Sequence, residues 1–429
     1  MRVYPHPVLP IDLPEWWRYK AQMPPGVFLF IVPVLLGLLV PQRWMRTYLL
    51  VTSILMIWLT FGYFFLLAIL GATLLGWALC LAGRWASGHG RGAARLVLLA
   101  GWVVSNAIYF SLFYLPVNRL LDGSTHLDVL LLCGPGFMLF RFLGLFCDAC
   151  AGKDVGSLRP DRYALFVLFA PTFRLGPMTR YAEINRQIDT CKSRINRYNV
   201  LKGFGLILLG WVQLLIVDEV INEWLVDPYH ERTFFFTRQI FAHVSSLSWL
   251  EAVAAMYMIA FRFLLGFSGY SHFAIGLCLI LGIILPRNFN WPYLATNLQD
   301  FWRRWHISLG AWLRDFVYIP LGGKHRRLAA TFVVFLYCFL WHQPALNMVV
   351  FAFLHTGGLA AFHGWRTWSE RCPESTLCRM VSSNVSGILI TFHFWCLTTL
   401  VMFDAEYCGL GMMKRIFVDP ILHLAKSLA

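Results

Sequence analysis

The feature that most limits this chain is a succession of apolar runs separated by short basic stretches. A membrane-crossing helix takes about 20 mostly apolar residues. Candidate runs lie at 27–40, 48–82, 94–118, 128–147, 200–226, 248–267, 272–286, 328–341, 345–363 and 383–404. The run 48–82 has the length of two short helices or one broken one. Runs 27–40, 272–286 and 328–341 are too short to cross unaided, and 163–171 ends at Pro171 as a re-entrant segment. Interrupted backbone at membrane depth is tolerated only where protein or a water-filled cavity covers it. The pattern predicts an all-α, polytopic transmembrane bundle of about 10–12 membrane helices, with interfacial and re-entrant pieces, around an internal cavity.

Composition supports this and closes other routes. The 429 residues are 58% hydrophobic and 14% charged, with a mean hydropathy of +0.61, against roughly 25% charged in soluble domains. Lys and Arg number 36 against 22 acidic residues, for a net charge of +14. The basic stretches 84–95, 174–202, 303–327 and 366–379 alternate with apolar runs, so the excess reads as positive-inside topology rather than nucleic-acid binding. Residues 1–26 are proline-rich, carry Trp16, Trp17, Arg18 and Lys20, and read as an interfacial N-terminal segment, not a cleaved signal. Residues 27–429 read as one transmembrane domain with a motif core at 266–363. Cys147 and Cys150 form a CxxC with no partner pair, so no metal site is expected. Whether Cys372 and Cys378 are bridged is left open.

One stretch stands apart, Asn297 to Gly323. At about 100° per residue, Trp302, Trp305, His306, Leu309, Trp312, Leu313 and Phe316 share an arc. Arg303, Arg304, Ser308, Arg314 and Asp315 fall largely on the other. This predicts an amphipathic helix in the interface plane, too polar to span, ending at Tyr318-Ile-Pro-Leu-Gly-Gly323. His306 sits at the margin of the apolar arc; an anchor histidine bonded to backbone satisfies the same pattern. A second histidine, His342, closes the run 328–341 in Trp341-His342-Gln343-Pro344, where Pro344 disfavours helix at Gln343. Ionisable groups within membrane segments are functional candidates. A helix-end histidine at headgroup level is the alternative.

These residues together resemble the membrane-bound O-acyltransferase family, in its bacterial polysaccharide-modifying, alginate-type branch. The resemblance rests on Asp300-Phe-Trp-Arg-Arg-Trp-His-Ile-Ser-Leu309 and Trp312-Leu-Arg-Asp-Phe-Val-Tyr-Ile-Pro-Leu-Gly-Gly323. Upstream, Phe267-Ser-Gly-Tyr-Ser271 (with Ser268 and Tyr270), Leu285-Pro-Arg-Asn-Phe-Asn290 and Gly176-Pro-Met-Thr-Arg180 extend it, as does Trp341-His342 downstream. The resemblance implies a helical ring around a thin centre pierced by a tunnel. It makes His342 the essential histidine and His306 the second functional one. Candidate substrate- or tunnel-lining residues are Trp302, Trp305, Trp341, Gln343, Asp300, Arg303, Arg304, Arg314, Asp315, Tyr318, Ser268 and Tyr270. Gln343 stands where the family usually has Gly.

The same resemblance implies a reaction. An acyl thioester, coenzyme A or a phosphopantetheinyl carrier, donates a short acyl group, most simply acetyl. A hydroxyl of an extracytoplasmic polysaccharide accepts it, aided by a periplasmic partner protein, with membrane lipids as surroundings and no bound cofactor. The setting implied is the bacterial cytoplasmic (inner) membrane, crossed many times. A neutral imidazole at the hydroxyl takes its proton during attack. No G-x-S-x-G, H-E-x-x-H, Walker A or dinucleotide fingerprint competes. Two alternatives remain: a proton-coupled carrier, suggested by Asp218-Glu219 inside an apolar run, and a catalytically weakened scaffold, suggested by Gln343.

Overall fold

A computed structural model describes residues 25–114, 129–173, 175–222, 244–342, 344–372, 383–404 and 409–422. The expected N-terminal segment, Gln343 and Cys378 lie outside these residues, apart from Pro25 and Gly26, which begin the first helix. Among the described residues the secondary structure is helical, without strands, and six helices are long and apolar enough to cross a bilayer. The chain divides into two compact units, residues 1–212 with 269–286, and residues 213–268 with 287–429.

The first unit holds α1 (Pro25–Leu39), α2 (Gln42–Phe61), α3 (Tyr63–Gly88), α4 (Arg91–Tyr114), α5 (Val129–Cys150), α6 (Pro160–Leu168), α7 (Tyr181–Asp189) and most of α8 (Arg197–Leu215). The long run 48–82 is broken at Gly62, whose φ of 81° is cheap only for glycine. Segment 163–171 is too short to cross: α6 has nine residues and gives way to a 3-10 turn at Ala170–Thr172. Its end is held by Arg141 of α5, buried at 3% exposure. The guanidinium donates to the carbonyls of Phe166 (3.3 Å), Val167 (3.2 Å) and Thr172 (2.5 Å). Carbonyls that close a helix have no partner within it, and here a buried cation supplies one. Lys192 does the same for α1, donating to the carbonyls of Gly37 and Leu38 at 2.8 Å each. Part of the basic stretch 174–202 therefore ties helix ends.

A 32-residue helix, α9 (Trp249–Ile280), contributes to both units, changing assignment after Ser268. Sequence patterning separates 248–267 from 272–286. The two join because Ser268-Gly-Tyr-Ser-His272 is polar but holds no proline, and the i→i−4 ladder is indifferent to side-chain polarity. Within the first unit, α8 and α9 meet through glycines: a Cβ on Gly276 would stand 2.6 Å from the Gly203 carbonyl oxygen.

The second unit continues with α10 (Leu298–Arg304), α11 (Ile307–Leu313), a π-helical turn Arg314–Tyr318, α12 (Arg327–His342), α13 (Leu346–Arg371), α14 (Asn384–Phe403) and α15 (Leu410–Met413). α12 has 16 residues, about 24 Å at 1.5 Å per residue, short of a hydrocarbon core of roughly 30 Å. The core of this unit is aromatic. Trp305, Trp395, Phe301, Phe351 and Trp341 are all buried. Trp395 also donates from Nε1 to the Tyr293 hydroxyl at 3.0 Å, which donates onward to the Ala260 carbonyl at 2.5 Å.

Candidate active site

The expected single amphipathic helix over 297–318 is instead two short helices with a sharp break between them. α10 opens on Asn297, whose Oδ1 accepts the Asp300 N–H at 2.8 Å. The Asp300 carboxylate accepts from Arg304 Nε at 2.9 Å. Asp300 and Arg304 therefore brace their own helix. At Trp305 the chain turns extended, and His306 takes the left-handed conformation, φ 41°, ψ 54°. Such a φ is uncommon outside glycine and marks strain. A strap holds the break open: Asn290 N–H donates to the Arg304 carbonyl at 3.0 Å, and Ile307 N–H to the Asn288 carbonyl at 2.9 Å. Ser308 Oγ donates to Asn288 Oδ1 at 2.6 Å. Helical periodicity alone carries no sign of this, because the strap comes from a loop ten and more residues upstream.

The break gives His306 a defined role and tautomer. Its Nδ1 accepts the Leu309 N–H at 3.2 Å, capping α11. A neutral imidazole accepts at one nitrogen and donates at the other, so Nε2 carries the proton. The ring is 6% exposed and lies 4.6 Å from the Phe267 ring. Burial, then the charge that His342 can carry, hold its pKa down to about 3.

His342 ends α12 with the opposite arrangement. Its Nδ1 lies 2.6 Å from the Cys338 carbonyl oxygen, which can only accept. Nδ1 therefore bears the proton, and the lone pair is on Nε2. The ring packs edge-on to Trp341 at 4.6 Å and, unlike His306, is exposed. The two histidines lie close enough for charge on one to oppose charge on the other. The second unit thus brings together one ring poised to donate from Nε2 and one poised to accept there.

The other sequence candidates separate by surroundings. Trp305 is buried among Phe263, Phe289, Phe301 and Trp395, with ring centroids 4.6–5.6 Å away. Trp302 packs on Phe335 and His355 at 5.0 and 5.1 Å. Arg303 and Arg314 are exposed, and Arg314 pairs with Asp315 at 2.8 Å. Tyr318 is half-buried at the end of the π turn. Ser268 is buried, accepting from Gln213 Nε2 at 3.1 Å and donating weakly to the Leu265 carbonyl at 3.4 Å. Tyr270, half-buried, belongs to the part of α9 in the first unit. Sequence reasoning quoted Asn288 within a motif without giving it a role, and passed over His355, a wholly buried histidine of α13. An ionisable residue inside the run 345–363 was the signal for it. Among the described residues no group of His, Cys, Asp and Glu is disposed to hold a metal ion.

Residues 153–403 match the model of the membrane-bound O-acyltransferase family. The chain is 33% identical over 237 residues to a peptidoglycan O-acetyltransferase of Helicobacter pylori, covering 54% of this chain and 42% of that protein. It is 30% identical over 352 residues to a probable alginate O-acetylase AlgI of Pseudomonas aeruginosa, covering 78% and 64%. A teichoic acid D-alanyltransferase of Bacillus subtilis is 26% identical over 316 residues, covering 69% and 76%. The match thus spans less than half of the first of these relatives and about two thirds of the second. With the family model matching more than half its length, and six described helices fit to cross a bilayer, the chain is a multi-pass membrane protein that belongs to the membrane-bound O-acyltransferase family.

Proposed function

We propose that this protein is an O-acyltransferase of a bacterial cytoplasmic membrane, moving a short acyl group, acetyl in the simplest case, from a thioester donor to a polysaccharide hydroxyl. The observation that carries the reading is the complementary tautomer pair: Nε2 of His342 as acceptor, Nε2–H of His306 as donor. A sugar hydroxyl is a poor nucleophile because almost none of it is ionised at neutral pH. His342 takes the hydroxyl proton on Nε2 as the oxygen attacks the thioester carbon, a form of assistance worth about 10²–10⁴ in rate. Negative charge then develops on the former carbonyl oxygen, and His306 donates a hydrogen bond to it from Nε2. On collapse the carbon–sulfur bond breaks, the acyl group stays on the acceptor oxygen, and the proton held by His342 passes to the thiolate.

Each ring suits its part. The low pKa of His306 keeps it a neutral donor that costs no proton uptake. His342 lies 15 residues from Arg327 along α12, about 22 Å of rise. With the basic turn Gly322–Arg327 at headgroup level, the base sits deep in the bilayer, where a donor from one face can meet an acceptor from the other. The donors implied are coenzyme A thioesters or a phosphopantetheinyl carrier, with the exposed Arg303 and Arg314 attracting their phosphates or those of lipid. A partner protein on the acceptor side completes delivery, as suits a polymer too large to enter.

The test is direct. Purified protein in proteoliposomes, supplied with acyl-labelled thioester and polysaccharide, transfers label to the polymer in a His342-dependent way. Solute movement without loss of thioester would replace this reading with a carrier.

A further inference from the structure

His355 is an odd residue for its place. It is wholly buried, in a cage formed by Phe351 (4.2 Å), Trp302 (5.1 Å), Phe394 (5.2 Å), Phe335 (5.8 Å) and Trp395 (6.0 Å). A phenylalanine would fill such a cage without desolvating two nitrogens. One nitrogen is accounted for: Nε2 lies 3.2 Å from Thr398 Oγ1. That hydroxyl spends its single proton on the Phe394 and Trp395 carbonyls, at 2.9 and 3.1 Å. It must therefore accept from His355, which fixes the proton on Nε2 and leaves a lone pair on Nδ1. That Nδ1 is buried with no hydrogen-bond partner, and so is the indole Nε1–H of Trp302. A buried acceptor and a buried donor, each costing about 1–3 kcal/mol if unmet, stand on rings that touch.

We propose that His355 is a positioning residue for the reaction, accepting the Trp302 indole N–H on Nδ1, directly or through one bound water. The proposal rests on the acyl-transfer reading of the site. Trp302 lies on α10, whose C-terminal end delivers the chain into the strained turn at His306. Phe335, Phe339 and His342 fall on one face of α12, at i, i+4 and i+7, and the first two of these rings touch both Trp302 and His355. The polar link therefore sits where α10, α12, α13 and α14 converge. It fixes the rotation of α10 and so the direction in which His306 Nε2 points. Aromatic packing resists separation but tolerates sliding; a hydrogen bond with one donor and one acceptor does not.

The experiment uses the full-length protein in nanodiscs, labelled with ¹⁵N-tryptophan. The Trp302 indole resonance is assigned by its loss in Trp302→Phe. In the wild type it should show a hydrogen-bonded shift and slow exchange, and it should move upfield in His355→Phe. That variant should keep its thermal midpoint while kcat falls roughly tenfold with KM for the donor unchanged. His355→Asn, which restores an acceptor near Nδ1, should recover part of the loss. The double variant Trp302→Phe/His355→Phe should lose no more than the worse single one. Should His355→Phe fail to accumulate, Thr398→Val frees the tautomer with the shape kept, and the same upfield move is expected. An indole resonance indifferent to His355 and Thr398, or additive losses in the double variant, would overturn the proposal. The indole signal does not depend on turnover, so a wild-type protein that transfers no acyl group sinks the functional reading alone.

Discussion

Replacing His306 by asparagine separates its cap of α11 from the donor role proposed for it. Nδ1 of the ring caps α11 through the Leu309 N–H, and asparagine Oδ1 occupies nearly the same position relative to the backbone. Asparagine is also among the few residues that enter the left-handed region readily, so the φ of 41° is retained without added strain. What disappears is the distal half of the ring, Nε2 included. The void of about 40 Å³ costs on the order of 1 kcal/mol at roughly 24 cal/mol per Å³. Loss of one donor to a developing oxyanion costs about 10²–10³ in rate. His306→Asn should therefore unfold within a few degrees of the wild type while kcat collapses. His306→Ala forfeits the cap as well, about 0.5–2 kcal/mol, and should lose stability and rate together. Thermal midpoints in nanodiscs and thioester-dependent acyl transfer per folded molecule read the two effects apart. A kcat for His306→Asn close to that of the wild type would show Nε2 idle and reduce His306 to a helix cap.

Three further outcomes are expected. His342→Gln should reach the membrane in wild-type amount yet transfer about 10²–10⁴ more slowly, measured as label incorporated per molecule. Acid should weaken the fold through His306. Its folded pKa of about 3 lies below the ordinary histidine value, so the unfolded chain takes up the proton first. Stability is present above pH ~6.5 and falls by roughly 1.4 kcal/mol per unit below it; the drop in midpoint between pH 7.5 and 5 should shrink in His306→Asn. Gly276→Ala should destabilise the first unit by about 1–3 kcal/mol, because its methyl group meets the Gly203 carbonyl oxygen at 2.6 Å; lowered detergent-resistant yield measures it.

Much of the helical architecture was legible because hydropathy and proline position act locally. The pause at Gly62 lay inside a run too long for one straight crossing, and the short α6 stops at Leu168, ahead of a 3-10 turn that contains Pro171. Polarity misled at Ser268–His272, where a helix persists through residues that interrupt an apolar run. At the site, His306 and His342 stood out as ionisable groups in apolar settings. Their tautomers did not show, since each depends on which backbone group meets Nδ1. The break at Trp305–His306 was invisible for a different reason. It is imposed by Asn288 and Asn290, and a helical wheel drawn through 302–316 cannot register a tether from outside the window. His355 carried a signal, an ionisable residue inside the run 345–363, but the pattern did not set it apart from Asn347, Thr356 and His363 of the same helix.

The two histidines are aimed by unlike means. His342 is steered by a carbonyl one turn earlier in its own helix, so its bearing travels with α12 whatever its neighbours do. His306 hangs from a distant loop and would swing if that loop slackened. Alterations at 288–290 should thus turn His306 while leaving His342 true, a handle on one ring without the other.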